Sequence, residues 1–146
     1  MIPLRSATPL QRFPWGTYTL ISINVAVFAH EIMLGERLQP FLLLYGWVPA
    51  SFFHALAESQ MPVFTPLLTS MFLHGGWLHL LGNLLYLHIF GGNVEDRLGH
   101  LRYLSLYCLG GVIAALVQTY ATPFSQAPMI GASGAIATVT GAYCVF

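Results

Sequence analysis

The chain has 146 residues, of which 56% are apolar and 7% are charged, and its formal net charge is zero. Because a soluble domain usually carries about a quarter charged residues, this composition excludes a soluble enzyme and predicts a bilayer as the main solvent. The chain has five arginines and no lysine, so we expect no basic surface for nucleic acid. Its two cysteines, Cys108 and Cys144, lie in apolar stretches and are interpreted as packing residues.

Four segments come close to the length of about 20 mostly apolar residues that a membrane helix needs. They predict an all-α fold, a polytopic helical membrane bundle. The predicted spans run from about Trp15 to Leu34, from Trp77 to just before Gly91, from Leu101 to about Ala121, and from about Ile130 to Phe146.

A long segment, residues 35–76, separates the first two predicted spans. Its prolines prevent it from crossing a bilayer, yet it is too apolar for a plain loop in water. The runs 41–45 and 50–54 predict short helices that lie in the membrane interface.

The arginines set the predicted orientation. Arg5 and Arg12 precede the first span, and Arg97 and Arg102 lie between the second and third spans. The positive-inside rule therefore places the N-terminus and the second connection in the cytoplasm. The outer ends of the second and fourth spans then lie at the same depth.

The fourth span opens with Ser133 between two glycines, Gly131 and Gly134. A serine in a membrane helix is most often a packing residue. Here the glycines permit close approach of another backbone, and the N–H groups of a starting helix suit a developing oxyanion. Ser133 is therefore a candidate nucleophile.

The second span opens with His79 and Asn83, which are four residues apart and share one helical face. The simpler interpretation is an interhelical hydrogen bond. The alternative is a pair of donors directed at a carbonyl oxygen, as in an oxyanion hole. His74 lies nearer to water and either assists this pair or is an interfacial histidine.

Neither a metal site nor a charged functional loop is predicted. His74, His79 and His88 do not share one helical face, and no thiol or carboxylate joins them at ligand spacing. The polar run 91–99 is interpreted as a cytoplasmic turn with a structural role only.

Four motifs in order resemble the rhomboid family of intramembrane serine proteases, most densely in residues 66–146. They are Thr69-Ser70-Met71-Phe72-Leu73-His74, His79-x-x-x-Asn83, the run 91–99, and Gly131-Ala132-Ser133-Gly134. The resemblance implies that Ser133 is the nucleophile, and that His79 and Asn83 stabilise the oxyanion together with the Ser133 N–H. It also implies six spans, no cofactor and no metal, with transmembrane proteins as substrates and the bilayer as the other partner. The protein would be a multi-pass membrane protein with its active site towards the outer side.

In this family the general base is a histidine on the sixth span, whereas the sequence stops at Phe146 in the fourth. We therefore expect residues 1–146 to be a rhomboid-like membrane domain truncated within its fourth span and inactive alone. One alternative is a rhomboid-like pseudoenzyme that binds membrane clients without cleaving them. Another is a channel or transporter fragment, which predicts more intramembrane charge than Glu31 alone.

Overall fold

A computed structural model of the chain describes residues 10–145. Two residues used in the predictions lie outside this range: Arg5, which helped to set the orientation, and Phe146, the last residue of the fourth predicted span. The described part is built from helices and one isolated β-bridge, which confirms the all-α class. The helices are α1 (Trp15–Met33), α2 (Leu38–Tyr45), α3 (Pro49–Ala57), α4 (Thr65–Thr69), α5 (Trp77–Tyr86), α6 (Gly92–Leu98), α7 (His100–Ala121) and α8 (Ser133–Val145). Short 3₁₀ turns occupy Gly35–Arg37 and Ser70–Phe72, and a π-helical turn occupies Leu87–Gly91.

The number of membrane spans stays a prediction. Of the described helices, only α7, with 22 residues, is by itself long and apolar enough to cross a bilayer. The segments Trp15–Met33 and Gly35–Tyr45 pass the same test jointly but are bent by 115° at their junction. Helix α8 is apolar but has 13 residues.

The two short helices predicted in the long connection are present as α2 and α3. Pro49 occupies the first turn of α3, where the missing N–H costs nothing because that position has no intrahelical acceptor. Whether these helices lie in an interface stays a prediction.

The predicted turn over residues 91–99 is wrong in form. The π-helical turn leads directly from α5 into α6, which ends at Leu98 and is followed by Gly99, whose φ is +80°. Glu95 lies in α6 and is 1% exposed. It accepts hydrogen bonds from the N–H groups of Gly16 and Thr17, at 2.6 and 2.7 Å, at the start of α1. Glu95 thereby satisfies free N–H groups at the start of α1. That the run 91–99 is cytoplasmic and has a structural role only stays a prediction.

The most extensive helix–helix packing in the described part of the chain joins α7 and α8, where small residues let the two backbones approach. A Cβ placed on Gly110 of α7 would come within 2.5 Å of the Cβ of Thr138 on α8. One placed on Gly134 would come within 2.6 Å of the Cβ of Ala114. This tight pair sets the position of the N-terminus of α8, where Ser133 lies.

Helix α1 presents three polar residues to the bundle at seven-residue intervals, Thr17, Asn24 and Glu31. All three are buried, with at most 2% of each residue exposed. Residues seven apart share one face of a helix. That face therefore carries a polar group at the beginning, the middle and the end of α1.

Candidate active site

The connection between α7 and α8 is held in place by the segment between α2 and α3. Trp47 and Met129 exchange two backbone hydrogen bonds of 3.1 and 2.8 Å, which form the isolated bridge. The Trp47 indole N–H also donates to the hydroxyl of Thr119 on α7, at 2.7 Å. The connection is thereby fixed on both sides just before α8 begins.

Gly131 completes this connection. Its N–H donates to the carbonyl of Ser70 at 2.8 Å, and its φ of +117° is a conformation that favours glycine. Two residues later, Ser133 is the first residue of α8 rather than lying one turn inside it, as a start near Ile130 predicts. The Ser133 N–H therefore has no acceptor within α8, and Ser133 is an exposed residue.

His79 and Asn83 lie on the face of α5 that is turned towards this connection. A Cβ placed on Gly131 would come within 2.5 Å of Cε1 and Nε2 of His79 and within 3.7 Å of Nδ2 of Asn83. His79 is half-buried and Asn83 is buried. His79, Asn83 and Ser133, the three site residues predicted from the sequence, thus lie around the short loop that precedes α8.

A cavity of about 460 Å³ opens beside Ser133. Small residues of α7 and α8 form much of its wall, including Gly111, Ala114 and Gly134, and Gln118 supplies a polar group. Ser70 and Met71 close another side. The cavity therefore leaves open space beside Ser133 in the part of the chain that the structure describes.

His74 lies beside His79 and Asn83 as well, and it is buried, with 2% of the residue exposed. Its Nδ1 lies 3.1 Å from the carbonyl of Phe72, and its Nε2 lies 3.0 Å from Nδ2 of Asn83. Because a carbonyl only accepts, Nδ1 carries the proton and Nε2 accepts from the Asn83 amide. Burial lowers the pKa of His74 to about 4, opposed by the Phe72 carbonyl and assisted by nearby His79, which fits a neutral ring.

The other polar residues of the predicted spans lie elsewhere. Asn24 donates to the carbonyl of Leu20 at 2.7 Å, within α1. The exposed His30 ring packs on Phe41, with ring centroids 5.5 Å apart. His88 packs near Tyr18, at a centroid distance of 6.3 Å, so the three histidines weighed as metal ligands are not gathered at one point.

Sequence spacing does not predict that Glu31 reaches this cluster. Its carboxylate oxygens both lie 3.2 Å from the backbone N of His74, and 43 residues separate the two positions. The available signal is the seven-residue recurrence of polar side chains in α1, which marks Glu31 as turned into the bundle.

Comparison with known proteins identifies a family. The family model described as "Rhomboid domain" matches residues 61–146. Rhomboid-like protein 11, chloroplastic, of Arabidopsis thaliana is 31% identical over 121 residues, which are 83% of this chain and 38% of the relative. The putative rhomboid protease YdcA of Bacillus subtilis (strain 168) is 38% identical over 77 residues, 53% of this chain and 38% of the relative.

A third relative, Rhomboid-like protease 5 of Toxoplasma gondii, is 41% identical over 76 residues, 52% of this chain and 9% of the relative. The chain therefore spans 38% or less of the length of these relatives. No solved structure matches the chain at a significant level.

Proposed function

This chain belongs to the rhomboid family, and from that premise we propose that it carries the nucleophile of an intramembrane serine endopeptidase. The substrates are transmembrane or juxtamembrane segments of other membrane proteins. The observation that carries the proposal is the packing of the His79 ring on Gly131, two residues before Ser133. It sets a potential hydrogen-bond donor beside a serine at the start of a helix.

In the proposed reaction the Ser133 hydroxyl oxygen attacks a peptide carbonyl and gives its proton to a base from outside residues 10–145, while the carbonyl oxygen becomes an oxyanion. When the oxyanion collapses, the C–N bond breaks and the base returns the proton to the leaving amine. Water then hydrolyses the acyl-enzyme ester. The N–H of Ser133 and the Asn83 amide donate to the oxyanion. His79 supplies a third donor. Its Nδ1 accepts from the Gly75 N–H at 3.4 Å, so the proton lies on Nε2, one of the ring atoms nearest to Gly131.

We assign no general base among residues 10–145. Both ring nitrogens of His74 are engaged, by Phe72 and by Asn83. Nδ1 of His79 is engaged by Gly75. The expectation that residues 1–146 need a base from elsewhere in the protein remains part of the proposal.

We also propose an orientation of the chain in the membrane. The backbone N–H of Arg12 donates to Asp96 at 2.9 Å, so Arg12 and Arg97 lie at one end of the bundle. The loop that precedes Ser133 lies at the opposite end of α7 and α8. With arginines on the cytoplasmic side, the N-terminus is cytoplasmic and Ser133 lies towards the outer side.

The test uses the complete encoded protein, reconstituted in liposomes with a labelled single-span peptide substrate. We expect cleavage that Ser133→Ala abolishes and that His79→Ala lowers by roughly 10²–10³-fold, the usual cost of losing one oxyanion donor. Cleavage that survives Ser133→Ala would overturn the nucleophile assignment. Saturable substrate binding without cleavage by the unmutated protein would instead favour the client-binding pseudoenzyme.

A further inference from the structure

The Asn83 side chain makes a hydrogen bond within the protein, because its Nδ2 donates to Nε2 of His74 at 3.0 Å. Both residues are buried. Since a carboxamide is planar, fixing one N–H also fixes the direction of the other. The orientation of the His74 ring therefore decides where the second Asn83 N–H points.

His74 lies in the short connection between the 3₁₀ turn Ser70–Phe72 and α5, where no helix holds its backbone. Gly75 and Gly76 follow it, and they lack the side chains that would restrict the backbone there. The contact that holds the His74 backbone comes from α1. Both carboxylate oxygens of Glu31 lie 3.2 Å from the His74 nitrogen.

Glu31 is 2% exposed and lies in the last turn of an apolar helix. An acidic side chain in that position is costly, and such side chains usually have a function. The ring of Phe28, one turn earlier, meets the His74 ring edge-on, with centroids 6.5 Å apart. Helix α1 therefore contacts His74 through one polar and one aromatic side chain.

We propose that Glu31 is a positioning residue for the oxyanion hole. It holds the His74 backbone, the His74 ring holds the Asn83 amide, and the free Asn83 N–H is thereby directed towards the oxyanion. This inference rests on the proposed function. It assigns to the first helix a part in the reaction that none of the four sequence motifs contains.

Two replacements of similar size separate hydrogen bonding from packing. Glu31→Gln keeps an acceptor oxygen for the His74 N–H, whereas Glu31→Met has none. In the liposome assay with the complete encoded protein, we expect Glu31→Met to lower kcat by roughly 10- to 100-fold, because small misplacements of a catalytic group have effects of this size. KM should stay within about twofold, because substrate binding does not use the misplaced donor. Glu31→Gln should recover most of the lost kcat.

A double-mutant cycle tests the route through Asn83. Once Asn83→Ala has removed the donor, Glu31→Met should cause little further loss of kcat. An equal loss with and without Asn83 would overturn the proposal, as would equal effects of Gln and Met at position 31. Should Glu31→Met fail to fold, Glu31→Asp takes its place, since it withdraws the carboxylate by one methylene group and should also lower kcat at constant KM.

A measurement without substrate distinguishes failure of this inference from failure of the proposed function. In protein labelled with ¹⁵N-histidine, the His74 ring should show a proton fixed on Nδ1 in the unmutated protein and in Glu31→Gln. In Glu31→Met the two ring nitrogens should exchange this proton. If the fixed tautomer is absent from the unmutated protein or survives Glu31→Met, the proposed connection is wrong, whether or not the protein cleaves peptides.

Discussion

The His79 ring lies so close to Gly131 that a methyl group at position 131 would overlap it, at 2.5 Å from both Cε1 and Nε2. Real Cβ atoms do not approach other heavy atoms so closely, so either the ring or the loop would move. The φ of Gly131, +117°, is also one that other residues rarely adopt. Two separate constraints therefore require glycine at this position.

We expect Gly131→Ala to lower kcat by at least about 10²-fold, because a His79 ring that is displaced by 1 Å or more no longer donates to the oxyanion. Cleavage of a labelled substrate peptide in liposomes measures this. Gly141→Ala is the matched control, since it lies on α8 and a Cβ there meets nothing within 4 Å among residues 10–145. It should leave cleavage unchanged. Equal activity of the two variants would contradict the proposed role of the contact.

The neutral state of the buried His74 predicts acid sensitivity. Its pKa is lowered from 6.5 to about 4, mainly by burial, so protonation favours the unfolded chain. The contribution of neutral His74 to the free energy of unfolding is therefore fully present above about pH 6.5. It is lost as the pH falls towards 4.

Thermal unfolding in detergent, measured from pH 7 to pH 4, checks this by comparison with His74→Gln. Because Glu31 and His79, the ionisable residues that face His74, are the same in both proteins, the difference in midpoint reports on His74. We expect the unmutated protein to have the higher unfolding midpoint at pH 7, and we expect its difference from the His74→Gln midpoint to decrease as the pH falls. A pH-independent difference would show that His74 does not titrate as proposed.

The contact between α7 and α8 makes Gly110 intolerant of a side chain. A Cβ there would lie 2.5 and 2.6 Å from the Cβ and Cγ2 of Thr138, and a Cβ that is fixed to a helix backbone cannot turn away. We expect Gly110→Ala to destabilise the fold by about 1–3 kcal/mol, the usual cost of overpacking. Unfolding in SDS–detergent mixed micelles measures this.

Gly82→Ala is the control for that substitution. Gly82 lies in α5, and a Cβ there meets nothing within 4 Å in the part of the chain that the structure describes. Alanine should therefore be neutral or stabilising by up to about 1 kcal/mol, because it restricts the unfolded chain. If Gly110→Ala were as well tolerated, the helices would not pack as closely as described.

The sequence predicted those structural features that depend on residues close together along the chain. The helical class, the short helices after α1, and the shared face of His79 and Asn83 all follow from local hydrophobicity or from helical periodicity. The order of the four motifs also points to Ser133 without any tertiary information.

What could not be predicted are contacts between residues far apart in sequence. The bonds from Gly131 to Ser70 and from His74 to Glu31 join positions 61 and 43 residues apart, and no spacing rule encodes them. The start of α8 at Ser133 rather than near Ile130 has the same origin, because the bond to Ser70 and the bridge at Met129 hold the preceding residues out of the helix. Similarly, glycines at positions 91 and 92 suggest a turn locally, yet tertiary packing keeps them helical.

The buried carboxylate of Glu95 should contribute to stability through the first turn of α1. It accepts from the N–H groups of Gly16 and Thr17 and from the Thr17 hydroxyl, the last at 2.7 Å. Glu95→Ala leaves these donors buried and unpaired, and each unsatisfied group costs about 1–3 kcal/mol. Glu58→Ala is the control, because Glu58 is an exposed residue whose side-chain partners, His54 and Gln60, are exposed as well, and exposed ion pairs contribute about 0–1 kcal/mol. We expect unfolding in mixed micelles to show a large loss of stability for Glu95→Ala and almost none for Glu58→Ala, and comparable losses would mean that Glu95 does not anchor α1.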